Sequence, residues 1–380
     1  MRLSHLDSFI ISTGPILMAY KFFIPGVGWT DFLMILSLLL HGLNGDLWKI
    51  QKLPIVFFIF GIMLIHLMFM GLGSEETLGY YRLFKYLIII SFIAVTYSLI
   101  NFDILTKFLS VVVLINALAV FLQYALNYLV DIRTVLILPF APLVNDLISI
   151  KTMNEVLFSN FRPGGLFMEP AHLSYFMFFI GLFFNNLTLE KKRMFLTIIS
   201  ITLFSTFSTF GFFAGLVIFS LILRGLINKR TAIYVIVGIA LIAIPNFFSL
   251  VEIVTEIPQV ARIIQPESVA VTGRLYAGHD LIDELSSTHQ LIGLGIGNFN
   301  LNGYMSAITY FRISFGELGM ALLASLIILY LLINRDKTPY VVIIIGMSFF
   351  TSMVLTPFLL VALLPFLTGK KTCKKLKYYT

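Results

Sequence analysis

The segment FRPGGLFMEPAHLSYF, residues 161 to 176, brings an arginine, two glycines, a glutamate and a histidine together in an otherwise apolar chain. Arginine binds phosphate oxygens through a planar and permanently charged fork, and a carboxylate or an imidazole can remove a proton from a hydroxyl group. Gly164 and Gly165 permit a tight turn or a close approach of the backbone to a ligand. Because an ionisable residue retained next to a membrane is a candidate functional residue by default, this segment is the first candidate site.

Glu169 and His172 are the candidate bases of this segment. Pro170 suits the first position of a helix, which makes Glu169 the N-cap and places its carboxylate at the positive end of the helix dipole. His172 then faces the same entrance. The dipole favours an ionised Glu169 whereas burial favours the neutral acid, and the sequence does not decide between them. The alternative is that Glu169 only caps the helix and pairs with Arg162.

A second polar segment, TGRLYAGHDLIDEL at residues 272 to 285, contains Arg274, His279 and three acidic residues. A spacing of three and four places the acidic residues on one face of a helix; they are Asp280, Asp283 and Glu284. Such a cluster forms either a cation site or a solvated acidic face. The solvated face is the commoner case, and we expect it here.

Two shorter motifs follow. LIGLGIGNFN, residues 291 to 300, resembles a phosphate-binding loop only superficially, because the sequence predicts no strand and helix around it. We expect a flexible connector there. FRISFGELGM, residues 311 to 320, places Arg312 and Glu317 about one and a half helical turns apart. This pair is either a structural ion pair or part of the lining of a substrate cavity.

The chain that carries these motifs is too apolar for a soluble protein. Hydrophobic residues make up 59% of it and charged residues 12%, and the mean hydropathy is +0.97, which predicts an all-α polytopic membrane protein. One span takes about 20 residues. We predict about twelve transmembrane helices in a single domain, at residues 8–24, 29–43, 54–72, 80–100, 104–129, 170–189, 194–209, 211–227, 231–250, 306–333, 339–355 and 357–369. The STFSTFG segment, residues 205 to 211, is predicted to separate two of them in a tight hairpin.

The basic residues determine the predicted orientation, since they collect in short cytoplasmic loops. Both termini are predicted inside, with a basic tail at residues 370 to 380, and two long loops at residues 131 to 169 and 251 to 305 are predicted outside. Apolar residues at helical spacing in these loops predict short amphipathic helices at residues 131–150 and 249–264. The net charge of +7 is explained by topology and anionic lipid rather than by nucleic acid.

Three arginines depart from this trend. Arg162, Arg274 and Arg312 all fall on the predicted outer side. Arginines placed against the general bias suggest an anionic ligand at the outer surface.

The order of the motifs resembles the Wzy-type O-antigen and capsular polysaccharide polymerases. The resemblance begins with Arg162, Gly165, Glu169 and Pro170 in an outer loop that enters a helix. A Gly-Arg pair at residues 273–274, GLGIGNF and a GELG motif at the start of a late helix follow in the same order. The resemblance extends over the last two thirds of the chain, and the order of the motifs carries more weight than any one of them.

This resemblance implies a membrane glycosyltransferase of the GT-C type in the bacterial inner membrane, with its active site facing the periplasm or the exterior. Such an enzyme transfers a growing glycan from undecaprenyl diphosphate to the non-reducing end of an undecaprenyl-diphosphate-linked oligosaccharide repeat unit. It implies no cofactor and no metal ion. The implied partners are the repeat units and membrane lipid, with a chain-length regulator and a flippase as protein partners and no nucleic acid.

The resemblance also implies roles for individual residues. Arginines would stabilise the charge that develops on the departing diphosphate, and a base would take the proton of the attacking hydroxyl. Glu169 is the expected base, with His172 and His279 as rivals. The residues expected to bind the diphosphate or the sugar are Arg162, Gly165, Arg274, Arg312 and Glu317.

Two other functions stay open. O-antigen ligases usually carry a histidine shortly before the late helix, and residues 302 to 312, NGYMSAITYFR, contain none, which favours the polymerase. A flippase or another transporter of lipid-linked glycan would carry its charged residues near the middle of the membrane. The arginines of this chain are predicted in outer loops instead.

Overall fold

The structure is a computed structural model. It describes residues 3–22, 27–47, 50, 53–70, 76–131, 161–187, 191–224, 278–296, 305–351 and 355–367. These residues are helical almost throughout and include no strand, although one antiparallel bridge joins Lys21 and Gly28. The prediction of an all-α chain is confirmed at this level.

The longer helices, numbered here in chain order, are α1 (Leu3–Leu17), α2 (Trp29–Leu43), α3 (Leu53–Met70), α4 (Glu76–Leu99), α5 (Phe102–Val130), α6 (Pro170–Asn186), α7 (Lys192–Ser205), α8 (Thr209–Arg224), α11 (Ala307–Ile333) and α12 (Thr338–Phe350). The short helices are α9 (His279–Glu284), α10 (Ser287–Ile292), α13 (Leu359–Ala362) and α14 (Leu364–Leu367). A single 3₁₀ turn at Arg335–Lys337 connects α11 to α12.

Three helical segments among the described residues are long and apolar enough to cross a membrane: Gly79–Leu99, Phe102–Val130 and Ala307–Ile333. A helix rises about 1.5 Å per residue, so about 20 residues cross a hydrocarbon core of about 30 Å. Trp29–Leu43, Val56–Met70 and Thr209–Arg224 are apolar but shorter. The described part of the chain is therefore all-α with helices suited to a membrane, and the predicted number of spans is not confirmed.

The predicted spans agree with the helices most closely where an apolar run is bounded by polar residues. The run predicted at residues 29–43 coincides with α2, and the run at residues 306–333 differs from α11 by one residue. The predicted hairpin around STFSTFG is also confirmed, because α7 ends at Ser205 and α8 begins at Thr209. The run at residues 231–250 lies outside the described residues.

The final predicted span, residues 357–369, is not one helix. It contains α13 and α14, each of four residues, with a turn at Leu363 between them. Pro365 explains the interruption, because proline has no N–H to donate to the carbonyl four residues earlier and its ring clashes with that carbonyl.

The chain forms two compact units. The first unit consists of Met1–Phe108, Ala141–Val144 and Thr272–Leu367. Within it α1 packs against α2, α4 against both α2 and α3, and α11 against both α10 and α12. Lys85 of α4 forms an ion pair with the buried Asp31 of α2, with 3.1 Å between Nζ and Oδ2.

The second unit consists of Leu109–Phe140, Asn145–Val271 and Thr368–Thr380. Its described core is a three-helix group in which α6, α7 and α8 all pack against one another. The residues of α6 from Leu173 to Phe184 are all buried, as expected for a helix that is apolar on every side. This group holds the start of α6, where the first candidate site lies.

Candidate functional site

A tight turn precedes α6 at the RPGG motif. The carbonyl of Gly164 accepts a 3.0 Å hydrogen bond from the N–H of Phe167. Gly165 has φ +60°, a left-handed conformation that glycine adopts without steric cost. A Cβ atom on Gly164 would lie 2.7 Å from the Phe167 carbonyl oxygen. Both glycines are thus required by the turn, which agrees with the tight turn expected from the sequence.

Two buried amides of α5 hold this turn. The Gln123 side-chain oxygen accepts a 2.8 Å hydrogen bond from the Gly165 N–H, and the Asn116 side-chain oxygen accepts a 3.2 Å bond from the Leu166 N–H. Asn116 and Gln123 are 0% and 1% exposed. Sequence reasoning missed both residues. The available signal was their spacing, since two amides seven residues apart share one face of an apolar helix.

Tyr124 of α5 holds the start of the same segment through two contacts. Its hydroxyl donates a 2.5 Å hydrogen bond to the carbonyl of Ser205, at the end of α7. Its ring meets the Phe161 ring edge-on, with 5.5 Å between centroids. Phe161 is the residue before Arg162, so the approach to the turn is anchored as well as the turn itself.

Glu169 and His172 lie at the entrance of α6. The helix begins at Pro170 and Glu169 is its N-cap, as predicted. However, the Glu169 side chain makes no capping hydrogen bond. Its Oε2 lies 3.6 Å from Nε2 of His172, and the two side chains are 33% and 16% exposed. The carboxylate is thus directed toward the imidazole, and both groups are accessible to a hydroxyl brought to the helix entrance.

A buried hydroxyl cluster lies one turn further into α6. Ser174 Oγ is 3.0 Å from Thr206 Oγ1 and 2.8 Å from Ser208 Oγ, and it also donates to the Pro170 carbonyl at 2.8 Å. Gly211 is required beside this cluster, because a Cβ atom there would lie 2.3 Å from Thr206 Oγ1. These bonds attach the first turn of α6 to the turn between α7 and α8. They therefore hold the start of α6, where Glu169 and His172 lie, in position.

Arg312 and Glu317 form an ion pair in the first unit. Both Nε and Nη2 of Arg312 approach the same carboxylate oxygen, Glu317 Oε1, at 2.7 and 2.6 Å. The side chains are 39% and 52% exposed. The pair bridges a kink in α11 at Gly316, whose φ of 64° and ψ of −167° lie outside the helical region. The ion pair, one of the two alternatives that the sequence left open, is present.

The glycine-rich segment that begins at Leu291 packs against the kink in α11. Leu294 N–H and Gly295 N–H donate to the carbonyls of Ile313 and Ser314 at 2.9 and 3.0 Å. These two carbonyls lie just before the kink, where the broken helix does not supply their usual N–H donors. The N–H groups of Leu294 and Gly295 satisfy them instead. A Cβ atom on Gly293 would lie 2.3 Å from the Ser314 carbonyl oxygen. The flexible connector expected for this motif is wrong for its described part, residues 291 to 296.

The remaining candidates are only partly described. Arg274 lies outside the described residues, and His279 is described as the first residue of α9 without its side chain. Asp283 and Glu284 are exposed on α9, which agrees with the solvated acidic face. Arg162, Gly165, Glu169 and His172 belong to the second unit, whereas His279, Arg312 and Glu317 belong to the first.

A buried ionic network in the first unit was not anticipated. His41 Nε2 lies 3.0 Å from Asp7 Oδ2, and His41 Nδ1 lies 3.2 Å from Asp46 Oδ2. Ser37 donates a 2.6 Å hydrogen bond to the other Asp7 oxygen. The side chains of His41 and Asp7 are 2% and 1% exposed, and that of Asp46 is 23% exposed. Both ring nitrogens donate to a carboxylate only when the imidazole is protonated.

No known protein family, curated protein or solved structure matches this chain. Among the residues that the structure describes, no group of three or more His, Cys, Asp or Glu side chains is arranged to hold a metal ion. The carboxylates of Asp7 and Asp46 approach opposite nitrogens of His41 and do not converge on one point. The observations that bear on function are therefore the geometry of the Glu169–His172 pair, that of the Arg312–Glu317 pair and the buried network around His41.

Proposed function

We propose that this chain is a membrane glycosyltransferase that polymerises undecaprenyl-diphosphate-linked oligosaccharide repeat units, as the O-antigen and capsule polymerases do. The observation that supports the proposal most directly is the Glu169–His172 pair, with 3.6 Å between Oε2 and Nε2. The pair lies next to a glycine turn whose position is determined by buried hydrogen bonds. Transfer of a glycan to a hydroxyl group needs a base held in this way.

The reaction assigns a task to each group. The hydroxyl oxygen at the non-reducing end of the incoming unit attacks the anomeric carbon of the growing glycan, and a new C–O bond forms. The bond from that carbon to the undecaprenyl diphosphate breaks, and its electron pair leaves with the diphosphate. Glu169 takes the hydroxyl proton, and His172 holds the carboxylate in position. Arg162 stabilises the charge on the diphosphate.

The arrangement at α6 suits a base for physical reasons. Glu169 is the N-cap of α6, so its carboxylate lies at the helix entrance, and its partial exposure leaves room for a hydroxyl group to reach it. His172 offers a second acceptor at the same entrance, so it stays the rival base. Arg274, Arg312 and Glu317 keep their proposed roles in binding the diphosphate or the sugar, to be tested by substitution.

The test is a reconstitution of the purified protein with synthetic undecaprenyl-diphosphate repeat unit, in the presence of EDTA, with products separated on a gel. A ladder of products is expected from the wild type. Glu169→Gln should reduce the rate by about 10²-fold to 10⁴-fold, the range for loss of a general base. Glu284→Gln is the matched control, because Glu284 is an exposed carboxylate on α9 and should leave the ladder unchanged.

One outcome would contradict the assignment of the base, and another would contradict the polymerase itself. A full ladder from Glu169→Gln would exclude this carboxylate as the base, and His172→Gln would then be the next variant to assay. A single addition of glycan to an acceptor other than the repeat unit, without a ladder, would indicate a ligase.

A proton-coupled transporter of lipid-linked glycan is the second candidate, and the buried network of Asp7, His41 and Asp46 favours it. Ionisable residues buried in membrane helices often form proton relays, and this network joins two buried side chains to a carboxylate that is 23% exposed. Vesicles with an imposed pH gradient would test it. Movement of lipid-linked glycan that requires the gradient, and that His41→Gln abolishes, would support transport over polymerisation.

A further inference from the structure

A cavity of about 450 Å³ lies in the second unit, at the opposite end of α6 from Glu169. Since α6 has 17 residues, its two ends are about 25 Å apart at 1.5 Å per residue. The cavity is thus remote from the Glu169–His172 pair. It is lined by Asn185, Lys192, Arg193, Leu196, Leu221, Ile222 and Arg224.

Antiparallel packing brings the cations of this cavity together. Lys192 and Arg193 begin α7, and Arg224 ends α8. These two helices form a hairpin, so the start of one lies beside the end of the other. The Lys192 ammonium group donates to the Asn185 carbonyl at the end of α6. Three cationic side chains, one of them fixed to the cavity wall, therefore line one space.

The N-terminal end of α7 itself favours an anion. A helix N-terminus carries partial positive charge, so basic residues in the first turn are repelled by it. The first turn of α7 contains no acidic residue, and its N-cap, Lys191, makes no side-chain capping bond. A bound anion would interact favourably with this dipole and with the cationic side chains that line the cavity.

Part of the cavity lining is apolar. Leu196 and Ile222 are 1% and 9% exposed, and Leu221 completes this part of the lining. The outward face of α8 is also apolar and exposed, and it carries Phe213, Leu216, Val217 and Phe219. Leu221 and Ile222 belong to α8, so a ligand with an anionic head and an apolar tail would match the cavity and the exposed apolar side chains of that helix.

We propose that this cavity binds the phosphate group of an anionic phospholipid, with the acyl chains along α8. Basic pockets between membrane helices recognise such head groups. The basic loops predict that this end of the unit faces the cytoplasm, so the lipid belongs to the inner leaflet. The site does not depend on the proposed glycosyl transfer.

The test is a titration of the purified protein in neutral detergent with short-chain phosphatidylglycerol, short-chain phosphatidylcholine or inorganic phosphate. Bound lipid is counted by native mass spectrometry, and thermal unfolding is followed in parallel. The variant is Arg193→Gln/Arg224→Gln. The matched control is Lys107→Gln/Arg335→Gln, which removes two exposed basic residues that are not part of the cavity lining.

We expect the wild type and the control to bind phosphatidylglycerol more tightly than phosphatidylcholine. The cavity variant should bind it about 25-fold more weakly, because each basic residue near the phosphate contributes roughly a fivefold factor, and that change equals about 2 kcal/mol at 1.4 kcal/mol per tenfold. Its affinity for phosphatidylcholine should not change. Ligand that binds only the folded state should also raise the unfolding temperature.

Several results would overturn the proposal. Equal binding of the two lipids by the wild type would exclude an anionic head-group site. Loss of binding in the control as well as in the cavity variant would indicate a general effect of net charge. Equal stabilisation by inorganic phosphate would exclude the lipid in favour of a free anion. If the cavity variant does not fold, Arg193→Lys/Arg224→Lys keeps both charges and should keep the preference for phosphatidylglycerol.

Discussion

The side-chain oxygen of Gln123 accepts a 2.8 Å hydrogen bond from the backbone N–H of Gly165, which links α5 to the turn that leads into Glu169. The bond joins residues 42 positions apart and is buried. A buried N–H without a partner is costly, so the turn and the amide stabilise each other. The position of the candidate base therefore depends on a side chain that has no chemical role of its own.

Gln123→Leu should destabilise the protein and reduce polymerisation. The substitution leaves the Gly165 N–H without its acceptor, and an unsatisfied buried donor costs about 1–3 kcal/mol. The midpoint of thermal unfolding should fall in detergent, and the polymerisation rate should fall with it. Tyr128→Phe is the control on α5, since Tyr128 is 75% exposed. An unchanged midpoint for Gln123→Leu would show that the turn finds another acceptor.

Gly293→Ala should destabilise the protein, whereas Gly346→Ala should not. A Cβ atom on Gly293 would lie 2.3 Å from the Ser314 carbonyl oxygen, and one on Gly346 would meet nothing within 4 Å. Gly293 also has φ +80° and ψ 178°, a conformation that is nearly exclusive to glycine and costs other residues about 1–3 kcal/mol. In α12, alanine is favoured over glycine by about 1 kcal/mol.

Unfolding midpoints of the two glycine variants provide the measurement. They should move in opposite directions from the wild type. Equal shifts would mean that the segment from Leu291 to Ile296 is not packed against the kink of α11.

The sequence predicted the parts of the fold that depend on residues close together in the chain. The length of an apolar run determined α2, and Pro170 at the first helical position determined the start of α6. The hairpin between α7 and α8 followed from the polar STFSTFG segment. Each of these signals acts within a few residues, so the sequence alone contains it.

Partners distant in the sequence were not predicted. Asp7 and His41 are 34 residues apart, and the apolar surroundings of each gave no sign of the other. The glycines around Gly293 were interpreted as flexible because glycine serves both mobile and closely packed backbone. The kink at Gly316 leaves two carbonyls of α11 without their helical donors, and the backbone next to Gly293 packs closely to bind them. The sequence does not show this kink.

Arg162→Ala should abolish polymerisation without loss of folded protein, and Arg162→Lys should restore part of it. Lysine keeps the charge but lacks the planar fork that binds two phosphate oxygens at once. Arg335→Ala is the control, since Arg335 is exposed in the turn after α11. Ladder formation and the amount of folded protein are measured on the same preparations. A normal ladder from Arg162→Ala would remove this arginine from the proposed site.

The Arg312–Glu317 pair should contribute more to activity than to stability. Exposed ion pairs contribute about 0–1 kcal/mol, and these side chains are 39% and 52% exposed. Glu317→Gln should therefore change the free energy of unfolding by less than about 1 kcal/mol. If Arg312 binds the diphosphate, Arg312→Ala should lower the polymerisation rate at this nearly unchanged stability. Equal losses of stability and activity would instead assign the pair to the structure of the kink.

Asp7→Asn should destabilise the protein much more than Asp46→Asn, although both carboxylates contact His41. Removing one partner of a buried ion pair costs about 3–5 kcal/mol, and after the loss of Asp7 the remaining carboxylate contact of His41 is with Asp46. Asp7 is 1% exposed and also accepts a hydrogen bond from Ser37, whereas Asp46 is 23% exposed, so water can replace Asp46 more easily. Unfolding midpoints of the two variants, measured in the same detergent, give the comparison. A smaller loss of stability for Asp7→Asn than for Asp46→Asn would mean that the more exposed contact, between Asp46 and His41, contributes more to stability than the buried one. It would also mean that water reaches His41 in the folded protein.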